Sequence, residues 1–185
     1  MASVASGLFD RGVASFRYQF PFMEMGAKRP DPPAQAHATV RAAIREAARL
    51  APGLALVAGG RSFGGRMTSQ AQALQPLPGV CGLAFLAFPL HPAGRASTDR
   101  ASHLGGVEIP MLFLQGTNDA LADISLLRSV VAELGGRATL HTVHPADHAF
   151  HVPARSGRTD AEVRNEMLDV LAAWISRTAE ASARG

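Results

Sequence analysis

The chain has 185 residues, 47% of them hydrophobic and 18% charged, a composition that indicates a folded protein rather than a disordered one. Eighteen Lys and Arg against fifteen Asp and Glu give a net charge of +3, and because the basic residues are scattered, no nucleic-acid partner is expected. With one cysteine, Cys81, no apolar run near the ~18 residues of a membrane span and no signal-like start, we expect no membrane association and a cytoplasmic location.

Short apolar segments alternate with longer segments of helical period, which is typical of a mostly parallel β-sheet with helices on both faces. The pattern predicts about five strands, at residues 13–18, 54–58, 82–88, 111–115 and 139–143. It predicts helices at residues 2–10, 34–51, 66–74, 121–134 and 159–178. No linker or repeat interrupts this pattern, so we expect a single α/β domain over residues 1–185.

The last predicted helix carries its own start signal. Thr159 is followed three residues later by Glu162, the spacing of a capping box, in which each side chain accepts from the other residue's backbone N–H. Apolar residues then recur at helical spacing and include Trp174, which favours a core position for this side chain over a ligand-binding one.

A glycine-rich segment follows the second predicted strand and contains the motif G-x-S-x-G, from Gly60 to Gly64. The motif alone is weak, but here an apolar strand precedes it and a helix is predicted after it. Such a strand–turn–helix would expose the hydroxyl of Ser62 on a sharp turn, with the helix N-terminus beside it. A phosphate-binding loop is the weaker alternative, because no Lys follows the glycines and their spacing does not form G-x-G-x-x-G.

Two later strands end in residues that could activate this serine. Asp119 follows the strand at 111–115, and His148 follows the strand at 139–143. The carboxyl ends of parallel strands share one edge of a sheet, where ligands bind. The chain order Ser62, Asp119, His148 is therefore the order of an α/β-hydrolase triad.

Other polar residues in these loops are weaker candidates for catalysis than the triad. His144 and His151 flank His148, but no zinc-site spacing accompanies them, so neither a metal nor another cofactor is expected. Asp123 is predicted to lie inside the following helix, and Asp147 is expected to shape its turn. Outside these loops, His37 is interpreted as a surface or packing residue.

With these residues in place, the chain resembles an α/β-hydrolase of the dienelactone hydrolase-like group, in the branch of the testis-expressed and NSL-complex-subunit hydrolase-like proteins. The segments that carry the resemblance are "FRYQFPFMEMGAKRPDPP", "AGGRSFGGRM", "FPLHPAGR", "FLQGTND" and "ADHAFHVP". The resemblance implies an α/β-hydrolase-like three-layer sandwich. It implies Ser62 as nucleophile, His148 as general base, Asp119 as acid and the Phe63 N–H as an oxyanion donor.

The substrate implied is a small molecule with an ester or related acyl bond, and oligomer formation is left open. Pocket walls are expected at Tyr18, Phe20, Leu90 and His91, by their position near strand ends. Arg61 and Arg66 could favour an acidic substrate, although a surface or structural role is the preferred interpretation.

In the family, a strand and a glycine-rich oxyanion loop precede the helix with which this chain begins. We therefore expect the domain to be N-terminally truncated, with the natural protein starting further upstream and a gap left beside the strand at 54–58. The alternatives are direct pairing of that strand with 13–18 and another segment that fills the place of the absent strand. The leading expectation is a serine hydrolase, carboxylesterase-like. The alternatives are a catalytically weak or inactive binding or scaffold protein of the same fold, and a nucleotide-binding α/β domain.

Overall fold

The computed structural model describes residues 1–184, and residue 185 of the expected domain lies outside the described residues. The strands are β1 (Leu56–Arg61), β2 (Val80–Leu86), β3 (Met111–Gly116) and β4 (Ala138–Val143). The α-helices are α1 (Ala2–Phe9), α2 (Pro21–Glu24), α3 (Pro33–Leu50), α4 (Phe63–Leu74), α5 (Ile124–Leu134) and α6 (Asp160–Arg184). Short 3₁₀ helices span Asp99–Gly106, Gly135–Arg137 and Ala154–Ser156.

The four strands form one parallel sheet in the order β1-β2-β3-β4. One face of the sheet packs against α3, α4, α5 and the 3₁₀ helix Asp99–Gly106, and the core on that side includes Val40, Met67 and Phe113. The other face packs against α1 and α6, with Leu8 and Trp174 in its core. The predicted three-layer α/β architecture is confirmed.

The strand predicted at residues 13–18 is wrong, so the sheet has four strands rather than five. Its alternating apolar residues suggested a strand, but a strand needs a hydrogen-bonding partner as well as a pattern. Residues 13–18 have no regular secondary structure and no partner in the sheet. β1 is therefore an edge strand, and a cavity of about 240 Å³ lies between it and this segment, lined by Val13, Tyr18 and Leu56 among others.

The remaining strands and the five predicted helices are confirmed, with shifted ends. β1 continues to Arg61, and α4 begins at Phe63, so one residue alone, Ser62, separates strand from helix. The last helix starts with the predicted capping box: Thr159 N–H donates to Glu162 Oε2 at 2.7 Å, and Glu162 N–H donates to Thr159 Oγ1 at 3.2 Å. Within residues 1–184, every helix is too short or too polar to cross a membrane.

Candidate active site

Ser62 occupies the sharp turn between β1 and α4. Its backbone has φ 51° and ψ −118°, a region that costs a residue with a Cβ about 1–3 kcal/mol and persists only where the surroundings impose it. The Ser62 N–H donates to the carbonyl of Leu86 at the end of β2, and the Ser62 carbonyl accepts from Arg66 N–H in the first turn of α4. The neighbouring strand and the helix thus hold the strained turn from both sides.

Glycines allow α4 to approach β1 closely at this turn. A Cβ placed on Gly65 would lie 2.7 Å from the carbonyl oxygen of Gly60 and 3.2 Å from Cδ1 of Phe85. A Cβ on Gly60 would lie 3.3 Å from the backbone of Gly64 and Gly65. The glycines of the motif are therefore explained by strand–helix contact, which fixes where the Ser62 side chain projects.

The structure brings Ser62, His148 and Asp119 together through hydrogen bonds. Nε2 of His148 lies 2.9 Å from Oγ of Ser62, and Nδ1 of His148 lies 2.7 Å from Oδ2 of Asp119. The Asp119 carboxylate can only accept, so Nδ1 of His148 carries a proton and Nε2 is the acceptor for the serine hydroxyl. The side chain of His148 is 25% exposed, whereas that of Asp119 is fully buried.

Asp119 is held by two further donors that the sequence analysis did not identify. Gln115 Nε2 donates to Oδ2 at 2.6 Å, and Leu121 N–H donates to Oδ1 at 2.8 Å. Gln115 is the only polar side chain in the apolar strand "MLFLQG", and it is fully buried. A polar residue at the end of a buried strand is the signal that could have identified it, since buried polar groups need hydrogen-bond partners.

The His148 loop is tied to the Ser62 turn and braced internally. Arg61 Nη2 donates to the carbonyl of His148 at 3.1 Å, so this arginine orients the loop. Asp147 Oδ1 accepts from the backbone N–H groups of Ala149 and His151, and Asp147 therefore shapes the turn. These contacts give Arg61 and Asp147 structural roles beside His148.

The backbone N–H of Phe63 is the first of α4, where helical N–H groups have no partner within the helix. Its ring packs edge-to-face on Phe20 and Phe22, with centroids 5.2 and 5.6 Å away. Tyr18 in turn packs edge-to-face on Phe20, with ring centroids 5.5 Å apart. Burial raises the pKa of the Tyr18 phenol, and a hydrogen bond with Thr68 acts in the opposite direction.

The other two residues expected in a pocket wall are buried. Leu90 has no exposed surface, and His91 is 5% exposed. His91 Nδ1 lies 2.9 Å from the carbonyl of Pro92, and its Nε2 accepts from Asp123 N–H. His91 therefore joins the loop after β2 to the start of α5, which is a structural role. The assignment of Tyr18, Phe20, Leu90 and His91 to a substrate pocket stays a prediction.

The residues considered as an alternative acid or as metal ligands contact partners outside the group of Ser62, His148 and Asp119. Asp123 was expected inside a helix but is the N-cap of α5, where Oδ1 accepts from the N–H groups of Ser125 and Leu126. His144 Nδ1 lies 3.0 Å from Oγ1 of Thr117, and His151 forms an exposed ion pair with Asp160. Within residues 1–184, no three His, Cys, Asp or Glu side chains are grouped to hold a metal ion.

This arrangement can carry out nucleophilic chemistry. A histidine that accepts from a serine hydroxyl can remove its proton as the oxygen attacks, and a buried carboxylate on the other ring nitrogen stabilises the imidazolium that forms. The serine stands at the N-terminus of α4, where free N–H groups and the helix dipole favour negative charge.

Known proteins with a similar sequence or structure share the α/β fold described above. The family model described as an alpha/beta hydrolase domain matches residues 1–176. An α/β serine hydrolase homologue from Coxiella burnetii superposes with a TM-score of 0.69 at 22% identity, over 90% of this chain and 73% of that one.

Two further solved structures share the fold. The esterase domain of a Rhodothermus marinus protein has a TM-score of 0.69 at 17% identity, over 95% of this chain and 78% of that one. A Klebsiella pneumoniae protein named as a dienelactone hydrolase has a TM-score of 0.60 at 20% identity, over 91% of this chain and 72% of that one.

Proposed function

The chain belongs to the α/β-hydrolase family, and from that premise we propose that it is a serine hydrolase that cleaves an ester or related acyl bond in a small molecule. Ser62 is the nucleophile, His148 the general base and Asp119 the residue that orients the base. One domain carries the whole site, and neither metal nor cofactor takes part. The resemblance to the dienelactone hydrolase-like group, in its testis-expressed and NSL-complex-subunit branch, supports the same class of substrate.

The proposed reaction proceeds in two steps. Oγ of Ser62 attacks the acyl carbon while His148 Nε2 takes the hydroxyl proton, and the Phe63 N–H donates to the developing oxyanion. The tetrahedral intermediate collapses to an acyl-serine, and His148 gives its proton to the departing alcohol. Water then attacks the acyl-serine with His148 again as base, which releases the carboxylic acid and restores Ser62.

The observation that carries the proposal is the continuous hydrogen-bonded chain from Ser62 Oγ through His148 to the buried Asp119. The chain contains a second serine–histidine contact for comparison: Ser69 Oγ lies 2.7 Å from Nε2 of His103. Ser69, however, is completely buried, and no carboxylate within residues 1–184 bonds to His103. Ser62 combines partial exposure with an oriented base, and Ser69 has neither.

Labelling with a fluorophosphonate, which reacts covalently with activated serines, tests the proposal. We expect the native protein and the matched control Ser69→Ala to be labelled and Ser62→Ala to be unlabelled. His148→Ala should also lose labelling, because an unassisted hydroxyl is a weak nucleophile. Circular dichroism would establish that each variant is folded. A folded native protein that is neither labelled nor active on small esters would refute the proposal and favour the binding or scaffold alternative.

A further inference from the structure

The buried carboxylate of Asp119 is held without a basic side chain other than the catalytic histidine. Within residues 1–184, its one ion-pair partner is His148, and no Lys or Arg pairs with it. Burying a carboxylate is costly unless other groups replace the lost water. Three hydrogen bonds do so here: His148 Nδ1 and Gln115 Nε2 donate to Oδ2, and Leu121 N–H donates to Oδ1. The position of this carboxylate therefore depends on these donors.

Gln115 is the one donor of the three that belongs to the sheet. It lies near the carboxyl end of β3, opposite Thr142 of β4, and β3 is paired with a strand on each side. His148 and Leu121, in contrast, lie on loops after β4 and β3. Groups on strands hold a geometry more precisely than groups on loops. The Gln115 amide thus ties the Asp119 carboxylate to the sheet.

The orientation of the Gln115 amide follows from the charge beside it. A carboxylate can only accept, so the NH₂ group of Gln115 faces Oδ2 of Asp119, at 2.6 Å. Oε1 of Gln115 is then buried without a hydrogen-bond partner within residues 1–184. A buried acceptor without a partner destabilises a fold, and an apolar side chain of similar size would contain no such atom. Stability alone therefore does not explain an amide at this position.

The two donors at Oδ2 determine how Asp119 faces the base. Gln115 Nε2 and His148 Nδ1 lie 2.6 and 2.7 Å from this oxygen, and Leu121 N–H lies 2.8 Å from the other oxygen. Because Gln115 and Leu121 hold one oxygen each, the carboxylate cannot rotate without breaking a hydrogen bond. Oδ2 is presented to His148 in one orientation, which keeps the proton on Nδ1 and leaves Nε2 to accept from Ser62.

We propose that Gln115 is a positioning residue for the hydrolytic reaction. It acts through Asp119 to hold His148 in the orientation and tautomer in which Nε2 faces Ser62. The Gln115 side chain is fully buried, so it does not contact the substrate, and its effect is on kcat rather than on substrate binding. The inference rests on the proposed hydrolase function, because the rate depends on the base that Gln115 positions.

Gln115→Met tests this role, because it removes the donor and the unpartnered acceptor together and keeps the size of the side chain. With para-nitrophenyl acetate as substrate, kcat should fall by ~10- to 100-fold and KM should change little, the effect of losing one hydrogen bond to a charged group in the reacting state. The melting temperature should stay within ~4 °C of the native value, because the lost hydrogen bond and the removed acceptor have opposite effects of similar size.

Gln72→Met is the matched control. Gln72 is also buried, and its Oε1 accepts from Leu77 N–H at 2.8 Å. It lies ten residues after Ser62, about 15 Å further along α4 at 1.5 Å per residue. The variant leaves a buried N–H without a partner, so its melting temperature should fall by ~2–12 °C while kcat stays native. A native kcat in Gln115→Met, or an equal loss of kcat in Gln72→Met, would overturn the proposal.

Gln115→Glu tests whether a donor at this position is sufficient. Two carboxyl groups in contact share one proton, because both cannot ionise at this distance. The hydrogen bonds from His148 and Leu121 favour the charge on Asp119, so the new carboxyl group keeps the proton and donates it to Oδ2. At neutral pH, kcat should therefore exceed that of Gln115→Met by ~3-fold or more. A kcat at or below that of Gln115→Met would contradict the proposed role.

Nitrogen NMR of the histidine rings reports the tautomer of His148 without any turnover. The His148 signals are identified by their loss in His148→Ala. We expect a proton on Nδ1 in the native protein and in Gln72→Met, and a partial shift to the Nε2–H tautomer in Gln115→Met. If the native protein hydrolyses no ester, the hydrolase proposal fails, while this shift still supports Gln115 as the residue that positions His148. If esters are hydrolysed but neither kcat nor the tautomer changes in Gln115→Met, the Gln115 proposal alone fails.

Discussion

Substitution of Gly65 by alanine tests whether the close contact between β1 and α4 holds the Ser62 turn. The added Cβ would lie 2.7 Å from the Gly60 carbonyl oxygen and 3.2 Å from Cδ1 of Phe85. The closer of these atoms is backbone and cannot rotate away. Gly64 is the matched control, because its Cβ would meet only Cε2 of Phe20, at an ordinary 3.7 Å.

The two variants share every effect except that contact. Both residues lie in the first turn of α4, and both substitutions reduce the entropy of the unfolded chain and gain helix propensity, by ~0.5–1 kcal/mol. The difference between their free energies of unfolding therefore isolates the steric term. Overpacking of a tight site costs ~1–3 kcal/mol, so Gly65→Ala should be less stable than Gly64→Ala by about that amount.

Urea denaturation at equilibrium gives both free energies, and ester hydrolysis reports the position of Ser62. If the helix shifts to relieve the contact, the activity of Gly65→Ala should fall by ~10²-fold, since a displacement of about 1 Å from the reactive geometry can have such an effect. A difference in stability below about 0.5 kcal/mol, together with native activity in both variants, would refute the argument that this contact fixes the turn.

Three further predictions concern Asp119, the backbone of Ser62 and the pKa of His103. Asp119→Asn should lower kcat on a soluble ester by ~10⁴-fold, because the amide would no longer fix the tautomer of His148; a loss below tenfold in steady-state kinetics would remove Asp119 from the mechanism. Ser62→Gly should be more stable to thermal unfolding than Ser62→Ala by ~1 kcal/mol, because φ of 51° strains a residue with a Cβ; equal melting temperatures would contradict this. The pKa of His103, ordinarily 6.5, is lowered to about 4 in the folded chain, so its neutral form contributes stability that is present above pH 6.5 and is lost as the pH falls towards 4. Between pH 7 and pH 4, the free energy of unfolding should therefore fall by ~1–2 kcal/mol less in His103→Gln than in the native protein, a value that allows for the partial exposure of the ring. Urea denaturation of both proteins at several pH values in that range measures the two decreases, and equal decreases would argue against the prediction.

The sequence was sufficient to predict the architecture because each layer has its own local pattern. Alternation of apolar strands and amphipathic helices predicted the parallel sheet, and the strand–glycine–helix succession predicted the turn at Ser62. The sequence also shows that Asp119 and His148 follow separate predicted strands. Because the carboxyl ends of parallel strands share one edge of the sheet, their proximity could be predicted. The structure joins these three side chains, and their catalytic roles stay proposals until Ser62 is labelled or replaced.

The features that could not be predicted from the sequence are those that depend on which distant segments of the chain pack against each other. Residues 13–18 have the apolar content of a strand, but pairing is a property of two segments, and this one has no partner in the sheet. The support of Asp119 by Gln115 requires a loop to turn back on its own strand.

The contact between Ser69 on α4 and His103 on the 3₁₀ helix Asp99–Gly106 joins residues that are 34 positions apart in the chain, and it requires the two helices to pack in one register. Periodicity in a sequence reports how each segment distributes its own apolar and polar faces. Register, partners and unpaired charges are decided only when those faces pack, because contacts between distant residues leave no local pattern.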